Sequence, residues 1–419
     1  MAHSHSHTHS HRHGGAQVPL ARGPVTVLLV ALALAAVATV VGVVALWPDS
    51  AKVHSLQAKA AYAAPGVTFP EAKVTSIDKT CLTQQPAPAT TGGQSGGATP
   101  GCMLSATLKS GPEKGSTQTV GIPDAVARSG LGRGDTVRLV RAPGASGEPG
   151  SYSFDDVVRL GALWVLLAVF LLVVAAVARL RGILAVVSLV LGGVVLLKFM
   201  LPALLSGSDG MAVALTGSAA IMFVVLYLAH GPSVRTSAAL AGTLLGVGVT
   251  AGIGELAIHG AHLSGFGDES AALLSAYTSD LSFQGLFTCA LVIAGLGVLN
   301  DVTITQASAV WELREAGPSL SRRTLFTSAM RIGRDHIAST IYTIVFAYAG
   351  SALAVLLLLS LYDRPLFELL STESISEEVV RTLASAIGLV LAVPITTAVA
   401  ALTVAGPSDA PPQGRRRAG

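Results

Sequence analysis

Gly297-Val298-Leu299-Asn300-Asp301-Val302-Thr303-Ile304-Thr305-Gln306 lies inside an apolar stretch long enough to cross a membrane. A spanning helix needs about 20 predominantly apolar residues. An ionisable side chain at that depth usually faces a partner, a cavity or a pathway. The run therefore reads as the polar centre of a membrane bundle rather than as an inert anchor. Outward from it the same apolar texture recurs. Spanning helices are expected at 24–46, 158–178, 183–203, 210–229, 236–257, 285–307, 338–360 and 381–403. The fold class is mainly α, a polytopic bundle of about eight transmembrane helices with a small external β domain of barrel or sandwich type.

Composition agrees with this. Of 419 residues, 51% are hydrophobic and 12% charged, where a soluble domain carries about 25% charged residues. Mean hydropathy is +0.63. A net charge of +3 is too small to argue for nucleic acid. The expected partner is the lipid bilayer, with an ion or small solute as substrate, and the oligomeric state is left open. There is no Walker loop, nucleotide fingerprint or nucleophile elbow, so no enzyme and no cofactor are expected.

The chain divides into a His-rich cytoplasmic tail (1–23), a transmembrane anchor (24–46), an extracytoplasmic β domain (47–156), a seven-helix membrane domain (157–404) and a basic cytoplasmic tail (405–419). His3, His5, His7, His9, His11 and His13 alternate; they either bind a transition metal loosely or form a solvated tail. No defined metal site is expected. The anchor exceeds the core of a cleavable signal peptide, which is about 7–15 residues, although the alanines near 58–64 leave cleavage open. In the β domain, strands are expected at 72–77, 103–108 and 136–140, with a turn at Leu131–Asp135. Arg133-Gly134-Asp135 is read as a plain hairpin turn, not an adhesion tripeptide. Residues 84–101 read as an insertion loop. Cys81 and Cys102 flank that insertion in the outer domain, where disulfides persist, so they are expected to pair and Cys289 to stay reduced.

Arginines set the orientation. Arg179, Arg181, Arg235, Arg314, Arg322, Arg323, Arg331, Arg334 and Arg415–Arg417 all fall on one side if there are eight spans, and the opposite loops are acidic. The positive-inside rule then puts both termini in the cytoplasm and the β domain outside.

The last seven spans resemble the YibE/F-like integral membrane proteins of bacteria. The resemblance rests on His230-Gly231, on Gly297–Asp301 running on through Ala307-Ser308-Ala309, and on Glu312-Leu313-Arg314-Glu315. It rests also on Arg331-Ile332-Gly333-Arg334-Asp335-His336, on Ala347-Tyr348-Ala349-Gly350 and on Ser385–Pro394. It covers most of 155–403, and the external β domain fits the family layout; the histidine tail and the 84–101 insertion do not belong to it. The resemblance implies a multipass membrane protein, often taken for a permease, and transfers no biochemical role.

Asp301, Thr305, Ser308 and Glu312 recur at i, i+4, i+7 and i+11 and form one polar stripe, with Asn300 beside it. Asp335, Ser339 and Tyr342 form a second stripe. The two are candidates for a coupling-ion or substrate site; the alternative is a salt bridge from Asp301 to Arg314, Arg331 or Arg334 that sets helix register. Glu255, His259 and His262 share a face if their helix continues that far, as a metal or proton site or as wet interfacial residues. Ser319–Gly333 reads as an amphipathic surface helix or a basic loop.

The preferred activity is a permease or transporter of an ion or small solute. The rivals are a non-transporting scaffold or assembly protein that binds through its β domain, and a proton-coupled export machine, by loose analogy.

Overall fold

The computed structural model of the chain describes residues 18–60, 63–79, 81, 101–144, 150–267, 269–278, 280–361 and 365–406. The alternating histidines, residues 84–100 of the insertion and Arg415–Arg417 lie outside the described residues. The chain forms two compact units, Ala60–Val177, and Met1–Lys59 together with Ala178–Gly419.

The smaller unit holds an antiparallel sheet of β1 (Glu71–Asp78), β2 (Cys102–Leu108), β3 (Thr117–Ile122), β4 (Thr136–Ala142) and β5 (Ser151–Val157), in the order β3-β2-β1-β4-β5. Its two edges approach each other, so the sheet nearly closes. The period-2 pattern puts Ala72 and Val74, then Leu104, Ala106 and Leu108, then Val137 and Leu139, into one core. Bulges after Val74 and after Arg138 add the twist that near-closure needs. A short helix, α3 (Asp124–Arg128), buries Ala127 against that core. In the turn before β4, Gly134 takes a φ of +101°, and the Asp135 carboxylate accepts the Gly132 N–H at 2.8 Å. Strands β3 and β5 escape the sequence reading because polar residues interrupt their alternation. Cys81 and Cys102, with Cα atoms 5.1 Å apart, are joined by a disulfide.

The larger unit is helical. It contains α1 (Arg22–Ala45) and α2 (Ser50–Lys59); the expected second and third spans follow as one continuous stretch, α4 (Leu160–Val195), whose residues up to Val177 belong to the smaller unit, a π-helical turn (Leu196–Met200) and α5 (Leu201–Leu205). That 46-residue stretch would be about 69 Å long if straight, against a hydrocarbon layer of about 30 Å. Its backbone leaves helical geometry at Arg179 (φ 53°, ψ −139°). Then come α6 (Gly210–His230), α7 (Val234–Gly260), α8 (Glu269–Ser275), α9 (Phe283–Ala316), α10 (Arg322–Ser351), α11 (Leu353–Leu361), α12 (Leu366–Leu370) and α13 (Glu373–Thr403). Six described helices are long and apolar enough to cross a membrane; the pair α10–α11, bent by 65°, makes seven.

The expected seventh span begins sixteen residues earlier than its apolar run, at Arg322, with Ser321 capping the Thr324 N–H at 3.1 Å. Residues 322–336 are helical because Leu325, Ala329 and Gly333 form a buried stripe, while Arg323, Arg331 and Arg334 face outward. Arg314, 1% exposed, donates from Nη1 to Pro318 O (3.1 Å) and Leu320 O (2.7 Å), and so clamps the α9–α10 connection.

The core is the seam between α7, α9 and α13. Small residues bring their backbones close. A Cβ added at Gly242 would fall on Thr396, and one at Gly388 would fall on Thr250. At one end of the bundle Gly210 and Gly285 touch backbone to backbone. Near the arginine-rich end, Ala21 N donates to Thr403 O (3.0 Å) and Ala405 N to Pro19 O (2.8 Å), an antiparallel bridge between the start of α1 and the end of α13.

Candidate functional site

Helix α9 carries two polar faces. Asp301 and Glu312 are exposed, and Thr305 and Ser308 half-buried, on the side turned away from the seam. On α10, Asp335, Ser339 and Tyr342 are exposed as well. The structure therefore does not bring the two predicted stripes together inside the bundle. Among the described residues no ion pair joins Asp301 to Arg314, Arg331 or Arg334. Asn300 points differently from its neighbour: its Oδ1 is buried, without a hydrogen-bond partner among the described residues.

The opposite face of α9 is where polar groups meet. Thr303 and Thr243 of α7 share a hydroxyl hydrogen bond of 2.6 Å. Gln306 Nε2 donates to Thr397 Oγ1 of α13 (2.7 Å) and to Ala329 O of α10 (2.9 Å). Thr397 Oγ1 in turn donates to Val393 O (2.7 Å), one residue before Pro394. Thr303, Thr243, Gln306, Thr396 and Thr397 are at most 1% exposed. Further along the seam, Thr250 and Ser385 both lie beside Gly295, and the buried Thr250 hydroxyl has no hydrogen-bond partner among the described residues. Nearer the other end, Thr288 donates to Glu255 Oε2 at 3.3 Å.

These groups form a file along the seam: Glu255 and Thr288, then Thr250 and Ser385, then Thr243 and Thr303, then Gln306 and Thr397. From Thr288 to Gln306 the axial distance is about 27 Å, close to a hydrocarbon thickness. The file consists mostly of hydroxyls and one amide. Such groups can accept and donate, so they can solvate a cation or relay a proton, and they can equally bind helices to one another.

Glu255 and His259 do lie together, with Nδ1 3.4 Å from Glu255 Oε1 and 3.0 Å from its carbonyl oxygen. His262 does not join them, because α7 ends at Gly260 and His262 sits beyond it with a φ of +53°.

Sequence reasoning missed Thr243, Thr303, Gln306 and Thr397. One signal was available: Thr236, Thr243 and Thr250 recur every seven residues, on one face of α7, and all three are fully buried.

A family model described as YibE/F-like protein matches residues 166–406, more than half of the chain. Neither the curated proteins nor the solved structures contain a match.

Proposed function

The chain belongs to the YibE/F-like family, and we propose that it is a multipass protein of the bacterial plasma membrane that passes an ion or small polar solute along the α7–α9–α13 seam. The observation that carries this reading is the polar file, buried from Thr288 to Gln306. Polar side chains inside a membrane bundle are costly, and they tend to mark pathways. A set running most of the way through it, on three helices at once, is more than one packing contact needs. In this reading the chain crosses eight times, with Arg179 at the break between the second and third spans. Both termini are cytoplasmic, and the β unit is extracytoplasmic. No catalytic chemistry is assigned to it.

A second reading is a non-transporting scaffold. It is favoured by the closeness of the seam, where Gly242 and Gly388 have no room for a methyl group. A seam so tight resists opening.

A thermal-shift screen of the purified chain against inorganic ions and small metabolites separates the two. A ligand that binds only the folded state raises its melting temperature. We expect such a ligand, with flux of that ligand into proteoliposomes, and loss of both effects in Thr303→Val. Absence of any shift and any flux leaves the scaffold. Topology is checked in intact cells with an impermeant thiol reagent: a cysteine at Ser270 should be labelled and one at Ser319 should not.

A further inference from the structure

The exposed stripe on α9 has a depth that can be read from contacts. Helices α6 and α9 run the same way, since α7 is antiparallel to both and joins α6 through three residues. Gly210 touches Gly285, so the two helices share a level there. Twenty residues beyond each lie His230, the end of α6, and Thr305. The 21 residues of α6 are about 31 Å long, one hydrocarbon thickness. Asp301 is therefore one helical turn inside the apolar layer, on an exposed face, with no ion pair among the described residues.

Helix α10 runs against α9, and Gln306, bonded to Ala329 O and lying against Gly333, sets their relative level to within about one helical turn. Five residues on from Gln306 and Ala329, Asp301 and Arg334 then lie within about one turn of the same depth. Six residues the other way, Glu312 and Arg323 match to the same tolerance. Acids at 301 and 312 and arginines at 334 and 323 thus repeat at the same spacing of eleven, on exposed faces of adjacent helices. None of Asp301, Glu312, Arg323 and Arg334 is in an ion pair among the described residues.

We propose that this face of α9 and α10 is the contact between two copies of this chain, with Asp301 and Glu312 of each copy paired to Arg334 and Arg323 of the other. A two-fold axis along the membrane normal leaves every residue at its own depth and makes the contact isologous. Residues matched in depth and opposite in charge then meet twice. Within one copy the same four side chains point away from the bundle. A lone carboxylate facing lipid is disfavoured, and a cation at the same depth removes the penalty. The exposed Ser339 and Tyr342 add hydrogen-bonding groups to the same surface.

The test is made in membranes, with Cys289→Ser as background. Asp301→Cys and Arg334→Cys are placed on separately tagged copies, co-expressed and oxidised. The expected product is a cross-linked dimer carrying both tags, at several-fold the yield given by either variant alone. Wild-type chain in lipid nanodiscs should have twice the mass of the 42.5 kDa monomer. Asp301→Arg with Glu312→Arg should shift it to monomer. Co-expression with a copy carrying Arg323→Glu and Arg334→Asp should restore the mixed dimer. Monomeric wild type overturns the proposal, as does a cross-link to a different protein. A dimer that ignores the charge reversals, or one that disappears only when anionic lipid is removed, overturns it too.

Discussion

Thr243 and Thr303 face each other across the α7–α9 contact with their hydroxyl oxygens 2.6 Å apart and no exposure to solvent. Intramembrane hydrogen bonds of this kind average about 0.6 kcal/mol and reach about 1.7. Thr303→Val, which keeps the shape, should lower stability by that order, and so should Thr243→Val. The double variant should cost less than the sum of the two, because after the first change the remaining hydroxyl keeps only its bond to a carbonyl of its own helix, Ala239 O or Asn300 O. Denaturation in mild detergent measures this; strict additivity would show that the hydroxyls are not coupled.

Gly242 and Gly388 should not tolerate alanine. The added methyl meets Thr396 in one case and Thr250 in the other, and overpacking of this kind costs about 1–3 kcal/mol. Gly252, where an added methyl would meet nothing within 4 Å, is the control. Melting temperatures of Gly242→Ala and Gly388→Ala should fall well below that of Gly252→Ala.

Gln306 ties three helices together, since its amide nitrogen serves both Ala329 O and Thr397 Oγ1. Gln306→Leu should lower stability by about 1–3 kcal/mol, the penalty for a buried group losing its partner. Amide exchange should rise in α10 near Ala329 as well as in α13. A change confined to α9 would refute the bridging role.

In the β unit, the disulfide closes a loop across a sequence separation of 21. Closure of a loop of that size is worth about 3 kcal/mol. Reduction, or Cys102→Ser, should lower the melting transition of the β unit and leave that of the helical unit in place, as followed by tryptic cleavage during heating. Peptide mapping without reductant should find Cys289 as the alkylatable cysteine.

Asp156 accepts two bonds from Arg159 Nη1, at 2.8 and 2.9 Å, and one from the Val157 N–H at 2.8 Å. The guanidinium first, and the amide second, hold its carboxyl below the ordinary carboxylate range. A depressed folded value means that the contribution is present above the unfolded pKa, about 3.9, and is lost as pH falls through the folded value. Carboxyl carbon shifts of Asp156 should therefore titrate at lower pH than those of an unperturbed aspartate, and Arg159→Ala should move that titration upward.

How far the sequence discloses this architecture depends on the kind of signal. Apolar runs of about 20 residues announce helices regardless of neighbours, and so α1, α6 and α7 stand close to their expected limits, while α9 continues past its apolar run to Ala316. The strands at β1, β2 and β4 alternate cleanly; β3 and β5, written Thr-Gln-Thr and Ser-Tyr-Ser at their starts, do not. The face of α9 is the harder problem. Asp301 and Thr305 lie outward and Thr303 and Gln306 inward, yet both sets are polar and both repeat at helical spacing. Periodicity finds the stripes, and only the packing of α7 and α13 says which one is buried. In the same way, the buried stripe that makes 322–336 helical consists of Leu325, Ala329 and Gly333, too sparse to outweigh four arginines in a hydropathy reading.

The bridge between Leu20 and Val404 turns the helical unit into a ring. Terminal helices usually fray from their free ends, which is where unfolding and proteolysis begin. Here each end is the lock of the other: α1 cannot peel away without releasing the last turn of α13, nor α13 without releasing α1. Cutting the chain after Thr403 should therefore loosen the start of its first helix, about 380 residues away in sequence. A circular permutant that joins residue 406 to residue 18 through a short linker should keep the bundle intact, because the two points already lie side by side.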